Sequence, residues 1–114
     1  MIVAGLFSGI GGLELPFVRR GLHASVMCDI WEPSRQVLSD RFSGVTIHSD
    51  IRDLDDLPAE ANVITAGFPC TDLSQAGRTA GIGGSQSSLV GHVFRLIKNH
   101  RLDWLVLENV RNML

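Results

Sequence analysis

Nothing in the 114 residues approaches the roughly 20-residue apolar run that a membrane span requires. The N-terminus also lacks a basic stretch leading into an apolar one and a small-residue cleavage site. A cytoplasmic protein with no membrane partner is the expectation that follows. Cysteine is scarce: Cys28 and Cys70 lie far apart and outside any Cys-x-x-Cys pair, which excludes a disulfide framework and a cysteine zinc site and leaves two reduced thiols. His23, His48, His92 and His100 are scattered without metal-ligand spacing, so no metal is expected. Positive charge is not in excess either. The net charge is −2, whereas proteins that grip duplex DNA present a Lys/Arg-rich face to the phosphates. Low-complexity tracts and long like-charge blocks are missing too. With 45% apolar and 19% charged residues, the chain reads as a single folded domain.

What is present alternates. Ile2 to Phe7 is a short apolar run ending in Ser8-Gly9-Ile10-Gly11-Gly12, after which Leu13, Phe17 and Val18 recur at helical spacing until Gly21. This reads as strand, tight loop and helix, with Pro16 in the first helical turn, where its missing N–H matters little. Ala24 to Cys28 is a second strand, Asp29 to Glu32 a turn, and Pro33 to Phe42 a second helix closed by Gly44. Val45 to His48 and Ala61 to Ala66 are further strands. Residues 67–88 are dominated by Gly, Ser, Thr, Gln and Pro, too long for an ordinary joint and therefore a candidate functional loop. Leu89, Val93, Leu96, Ile97 and His100 then share a helical face, and Trp104 to Leu107 forms a fifth strand. The alternation predicts an α/β fold, a doubly wound and mostly parallel sheet.

In such sheets ligands bind beyond the carboxyl ends of the strands. Those positions hold Gly9, Gly11 and Gly12, then Asp29, Asp50, Pro69-Cys70 and Glu108-Asn109. Glycines let a backbone approach a ligand closely, and a carboxylate about 20 residues on can accept two hydrogen bonds from a ribose diol. Together they point to an adenosine-containing cofactor. The same glycines also fit a plain tight turn, since Glu14 replaces the third small residue of the dinucleotide fingerprint. Asp29 equally fits a helix cap, Asp50 an ordinary turn, and Arg78 a solvated side chain rather than a phosphate contact. Cys28, beside Met27 in a strand, fits a buried structural thiol; Cys70, in a polar loop at the mouth of the sheet, does not. Glu108 ends an apolar strand, where a carboxyl partly withdrawn from water can carry a proton at neutral pH, although a solvated acid is the alternative.

Phe7-Ser8-Gly9-Ile10-Gly11-Gly12, then Gly67-Phe68-Pro69-Cys70, then Glu108-Asn109-Val110 resemble three conserved blocks of the C5 cytosine-specific DNA methyltransferases, in the family's order and over essentially the whole chain. The resemblance implies a Rossmann-like methyltransferase fold, truncated after about five strands, and S-adenosylmethionine as cofactor. It implies that Phe7, Ser8, Gly9, Ile10, Gly11 and Gly12 surround the cofactor's methionine end and that Asp29 holds the ribose. Ile30 or Trp31 would cover the adenine face, Asp50 and Ile51 meet its edge, and Pro69 and Leu89 complete the wall. Cys70 would add to C6 of a flipped cytosine, and Glu108 would hold and protonate N3. Asn109 would orient the Pro69-Cys70 turn or Glu108.

Two departures accompany the likeness. Thr71 stands where many members carry Gln, and the family's arginine-bearing block, target-recognition region and final cofactor-closing segment do not occur before Leu114. Residues 1–114 are thus expected to be the N-terminal part of a catalytic domain, inactive alone. A C-terminal region or subunit would supply the grip on double-stranded DNA and resolve the mismatch with the net charge. A fifth strand that is interior in a complete sheet would leave the isolated chain prone to self-association. The competing readings are a non-catalytic S-adenosylmethionine- or nucleotide-binding module that regulates a partner, and a nicotinamide-dependent oxidoreductase. Cys70 and Glu108 weigh against the first, the imperfect glycine fingerprint against the second.

Overall fold

The computed structural model describes residues 1–67 and 89–108. Five strands form one all-parallel sheet: β1 Ile2–Leu6, β2 His23–Cys28, β3 Thr46–His48, β4 Val63–Gly67 and β5 Trp104–Glu108, in the order β3-β2-β1-β4-β5. Parallel neighbours need crossover connections, and helices α1 Leu15–Arg19, α2 Glu32–Arg41 and α3 Leu89–Ile97 lie on the connections after β1, β2 and β4. The Rossmann-like expectation is met, with strand ends within two residues of those read from the sequence. Pro16 and Pro33 each sit in a first helical turn, as expected. A 3-10 turn, Ile51–Asp53, had no counterpart in the sequence reading. Asp50 caps it by accepting from the Arg52 amide at 2.9 Å.

The two faces of the sheet bury different clusters. On one, Met27, Leu38 and Phe42 pack with Leu15, Val18, Ala24, Val45 and Ile47, so α1 and α2 cover this side. On the other, Ala4, Leu6, Val26, Cys28, Ile64 and Ala66 pack against Val90, Val93 and Leu96 of α3 and against Ile51 and Leu57. Alternation along β2, with Val26 and Cys28 facing one cluster and Met27 the other, is the period of two that a doubly covered strand requires. At the amino ends of the strands Asn62 ties three of them together. Its Oδ1 accepts from the Ile2 amide at 2.7 Å, and its carbonyl accepts from the Asp103 amide at 2.8 Å.

The chain order reverses between β1 and β4, which makes the carboxyl ends of those two strands the topological switch point, where such sheets open a crevice. β5 is an edge of the described sheet and carries Trp104, 62% exposed. No helix among the described residues is long and apolar enough to cross a membrane.

Candidate functional site

A cleft of about 490 Å³, within the usual range for small-molecule sites, opens at the switch point. Phe7 and Gly67 form its floor from the ends of β1 and β4. Asp29 and Ile30 come from the end of β2, Ser49 to Arg52 from beyond β3, and Leu89 from the start of α3. Of the residues expected at a cofactor site, Phe7, Asp29, Ile30, Asp50, Ile51 and Leu89 are thus brought together. Trp31 is not in this wall. It is 65% exposed at the start of α2, and its amide donates to Asp29 Oδ1 at 2.9 Å.

The glycine loop does more than one job. Asp29 Oδ2 accepts from the Gly9 amide at 2.7 Å, so the carboxylate at the end of β2 braces the loop after β1. Each carboxylate oxygen keeps a second lone pair for another donor. Gly9 has φ +58° and, like Gly12, open space where a Cβ would be, as a ligand's approach requires. Gly11 is different. Its φ is +86° and a Cβ there would lie 2.3 Å from Phe42 Cε2, so its bareness admits the ring of Phe42. Ile10 is exposed beside the loop, its carbonyl accepting from Arg41 at 3.3 Å. Ser8 is buried, its amide donating to the Cys28 carbonyl at 2.9 Å. Phe7, with φ +53°, holds a backbone conformation disfavoured for L-residues by about 1–2 kcal/mol.

Asp50 meets the Arg52 guanidinium at 2.7 Å from Nη2 to Oδ2. The Arg52 hydrogen bonds hold its carboxyl at about 2, so it is ionised throughout the neutral range. Arg52 was not anticipated as a lining residue, although a cation two positions after the acid is a visible signal. Arg95 was missed altogether. From α3 it donates to the carbonyls of Leu54 at 2.9 Å, Ile51 at 3.1 Å and Asp55 at 3.3 Å, clasping the turn that carries Asp50 and Ile51. Its Nε–H donates to His92 Nδ1 at 3.2 Å. Replacing Arg95 by Met keeps the aliphatic stem and leaves three carbonyls without their charged donor, an expected loss of about 2 kcal/mol in denaturant unfolding. Lys should restore only part of it, because one ammonium cannot span the fork. Equal stability of all three proteins would show that the clasp contributes nothing.

Cys28 is buried, and withdrawal from water, reinforced by the charges of Asp29 and Asp50, pushes its thiol up to about 12. It is a packing residue, as expected. Of the two readings of Glu108, a carboxyl partly withdrawn from water and a solvated acid, its exposed side chain matches the second. It pairs in register with Gly67, and its Oε2 would lie 3.4 Å from a Cβ on that glycine. Pro69, Cys70, Asn109 and Arg78 lie outside the described residues, as does the predicted loop beyond Gly67.

A family model described as C-5 cytosine-specific DNA methylase matches residues 1–114. Among curated relatives, the Type II methyltransferase M2.BsuMI of Bacillus subtilis is 46% identical over 118 residues, covering 100% of this chain and 30% of the relative. M.Sau3AI of Staphylococcus aureus is 34% identical over 127 residues, 98% of this chain and 31% of the relative. M.CviJI of a Paramecium bursaria Chlorella virus is 33% identical over 107 residues, 91% of this chain and 29% of the relative. The chain therefore spans about a third or less of the length of these relatives.

Proposed function

The chain belongs to the C-5 cytosine-specific DNA methylase family, and from that premise we propose that it carries the cofactor site and the nucleophile of a DNA cytosine-5 methyltransferase that uses S-adenosylmethionine. The observation that carries the reading is the switch-point cleft, which gathers the acidic side chains of Asp29 and Asp50 and apolar walls into one small-molecule site, with the glycine loop tied to it through the Gly9 amide on Asp29. An adenosine fits that set. Asp29 offers two acceptors to the ribose hydroxyls, Ile30, Ile51 and Leu89 offer apolar faces to the base, and Asp50 offers an acceptor to its amino edge. The open space over Gly9 and Gly12 accommodates the methionine end.

The cofactor supplies a sulfonium methyl, and the rest of the chemistry falls to the chain. C5 of cytosine is too poor a nucleophile until a thiolate adds at C6 and converts the ring to an enamine. In the proposal Cys70 is that thiolate and Glu108 steadies N3 with a proton. After transfer, loss of the C5 proton expels the thiolate. The pairing of Gly67 with Glu108 supports this division of labour, because three links separate Gly67 from Cys70, a reach of at most roughly 11 Å. The cytosine must leave the duplex to enter such a site, and methyltransferases are themselves the standard example of base flipping. The grip on double-stranded DNA belongs, in this reading, to sequence beyond residue 114 or to a partner subunit.

The test uses the full-length protein with S-adenosylmethionine and duplex DNA containing 5-fluorocytosine, whose fluorine blocks the final elimination. A covalent adduct mapped to Cys70 is expected. Cofactor binding without any adduct over a varied DNA pool would favour a non-catalytic binding module instead. Asp29→Ala is expected to weaken S-adenosylmethionine binding by about 100-fold in calorimetry, since it removes the acceptors for the ribose and for the Gly9 amide together. An unchanged affinity would remove Asp29 from the site.

A further inference from the structure

Beneath the glycine loop, on the side of the sheet covered by α1, lies a carboxyl that the proposed reaction does not use. Glu14 is 0% exposed. Its Oε1 accepts from the Thr65 hydroxyl of β4 at 3.0 Å, while its Oε2 is buried and without a hydrogen-bond partner. Ser8, 7% exposed, has a hydroxyl oxygen that is likewise buried and unpartnered. The two side chains converge on the bare Cα of Gly5, where an ideal Cβ would lie 2.5 Å from Glu14 Oε1 and 2.6 Å from Ser8 Oγ. Among the described residues no basic side chain forms an ion pair with Glu14.

An ionised carboxylate in this setting would be unsolvated and unpaired, which is the most costly way to bury an acid. One proton removes both anomalies. On Oε2 it abolishes the charge and creates a donor, and Ser8 Oγ is the neighbouring oxygen that lacks one. We propose that Glu14 is a positioning residue for the cofactor site, kept as a neutral carboxylic acid that ties the base of the glycine loop at Ser8 to β4 at Thr65.

Ser8 is where such a tie has most leverage. Its amide donates to the Cys28 carbonyl at the end of β2 and its carbonyl accepts from the Gly11 amide at 2.8 Å. The next residue, Gly9, donates to Asp29. Fixing Ser8 therefore fixes the loop against the ribose-binding carboxylate. The inference rests on reading the cleft as the S-adenosylmethionine site.

The protonation has a sign that can be measured. Around Glu14, β1 contributes Gly5, the loop Ser8, β4 Thr65 and the end of β2 Asp29. Among the described residues Asp29 is the ionisable neighbour that acts on it, and its negative charge opposes a second carboxylate. Burial first, then Asp29, raises the Glu14 carboxyl above its ordinary value near 4.5, against the lowering effect of the Thr65 hydroxyl. A group raised on folding binds its proton more tightly in the closed structure. Its contribution is complete below the ordinary value and is lost as pH rises through the folded one. Cofactor affinity should decline in the same direction.

Calorimetric titration of the full-length protein with S-adenosylmethionine, from mildly acid to alkaline pH, tests this with Glu14→Gln and Glu14→Leu. The wild type should lose affinity on the alkaline side. Gln, a permanently neutral donor, should keep the low-pH affinity and abolish the decline, whereas Leu should bind roughly tenfold more weakly at every pH, the size of one lost hydrogen bond. A Gln variant that retains the wild-type pH profile, or a Leu variant that binds as well as wild type, overturns the proposal. Infrared difference spectra of wild type against Glu14→Gln give a readout independent of the cofactor. A protonated-carboxyl stretch present in the wild type at neutral pH supports the neutral acid, and its absence overturns it. Failure of the wild type to bind S-adenosylmethionine, with that stretch present, would instead sink the cofactor reading alone.

Discussion

Cys70→Ser in the full-length protein is expected to lower methyl transfer from S-adenosylmethionine to DNA by at least about 10³-fold while leaving cofactor affinity within about threefold. The asymmetry is the content of the prediction. A serine hydroxyl preserves the size and polarity of the loop but is hardly ionised at neutral pH, so addition at C6 loses its nucleophile. A free thiol, with its ordinary value near 8.5, is already a few per cent thiolate. The cofactor cleft draws its described walls from Phe7, Asp29, Ile30, Asp50, Ile51 and Leu89, and the substitution replaces none of these. The chain supplies its own contrast in Cys28, whose thiol is pushed up to about 12 by burial and flanking carboxylates and is thus no substitute. Single-turnover transfer of a labelled methyl group, beside a binding titration, separates the two effects. Transfer within tenfold of wild type would remove Cys70 from the reaction; a parallel loss of binding would make it a structural residue.

The second large effect concerns Gly11. Gly11→Ala should destabilise the protein by about 3 kcal/mol or more, whereas Gly9→Ala should lower stability by only about 1 kcal/mol. Both glycines have positive φ, so both substitutions share the backbone penalty. They differ in what the new methyl meets. At Gly9 there is nothing within 4 Å, while at Gly11 it would lie 2.3 Å from Cε2 and 2.7 Å from Cζ of Phe42, with Leu38 Cδ2 at 3.2 Å. Phe42 and Leu38 are buried in the cluster beneath α2, so neither can step aside without disturbing it. Denaturant unfolding of both variants measures the difference. Equal destabilisation would show that the α2 cluster yields to the methyl, and that Gly11 is bare for the sake of a ligand only. For S-adenosylmethionine affinity the expected ranking is opposite once folding is allowed for, since Gly9 faces the open space.

The sheet was legible because its signals are local: apolar runs of strand length, a proline in the first turn of two helices, and glycines after helices. The residues that line the cleft were legible for a related reason. Strand ends in a doubly wound sheet converge on one crevice, so reading the residue after each strand finds Phe7, Asp29 and Asp50 without knowing any contact. What escaped the sequence was whatever acts across a long separation. Arg95 reaches carbonyls more than 40 residues away, and no spacing rule announces it. Glu14 stood out only as a misfit in a glycine fingerprint, because its partner Thr65 is 51 residues distant. Gly5 carried an unused clue, for a lone glycine inside an apolar strand marks a close approach, here by the Glu14 carboxyl. The apolar run before Glu108 suggested a sheltered acid. The strand is the edge of the described sheet, and an edge leaves its end in water.

The strand order also sets a timetable for synthesis. β1, the first of the five described strands to be synthesised, lies in the middle of their order and gains β2 as a neighbour early, Ile2 pairing with His23. Its other edge waits for β4, Val3 pairing with Val63 some 60 residues later. At about 5–20 residues per second that edge stands open for several seconds, with Val3, Ala4 and Leu6 available to any other strand in reach. A nascent chain of this kind depends on the speed of translation and on chaperones that shield strand edges, and slow codons placed between β1 and β4 should lower its soluble yield.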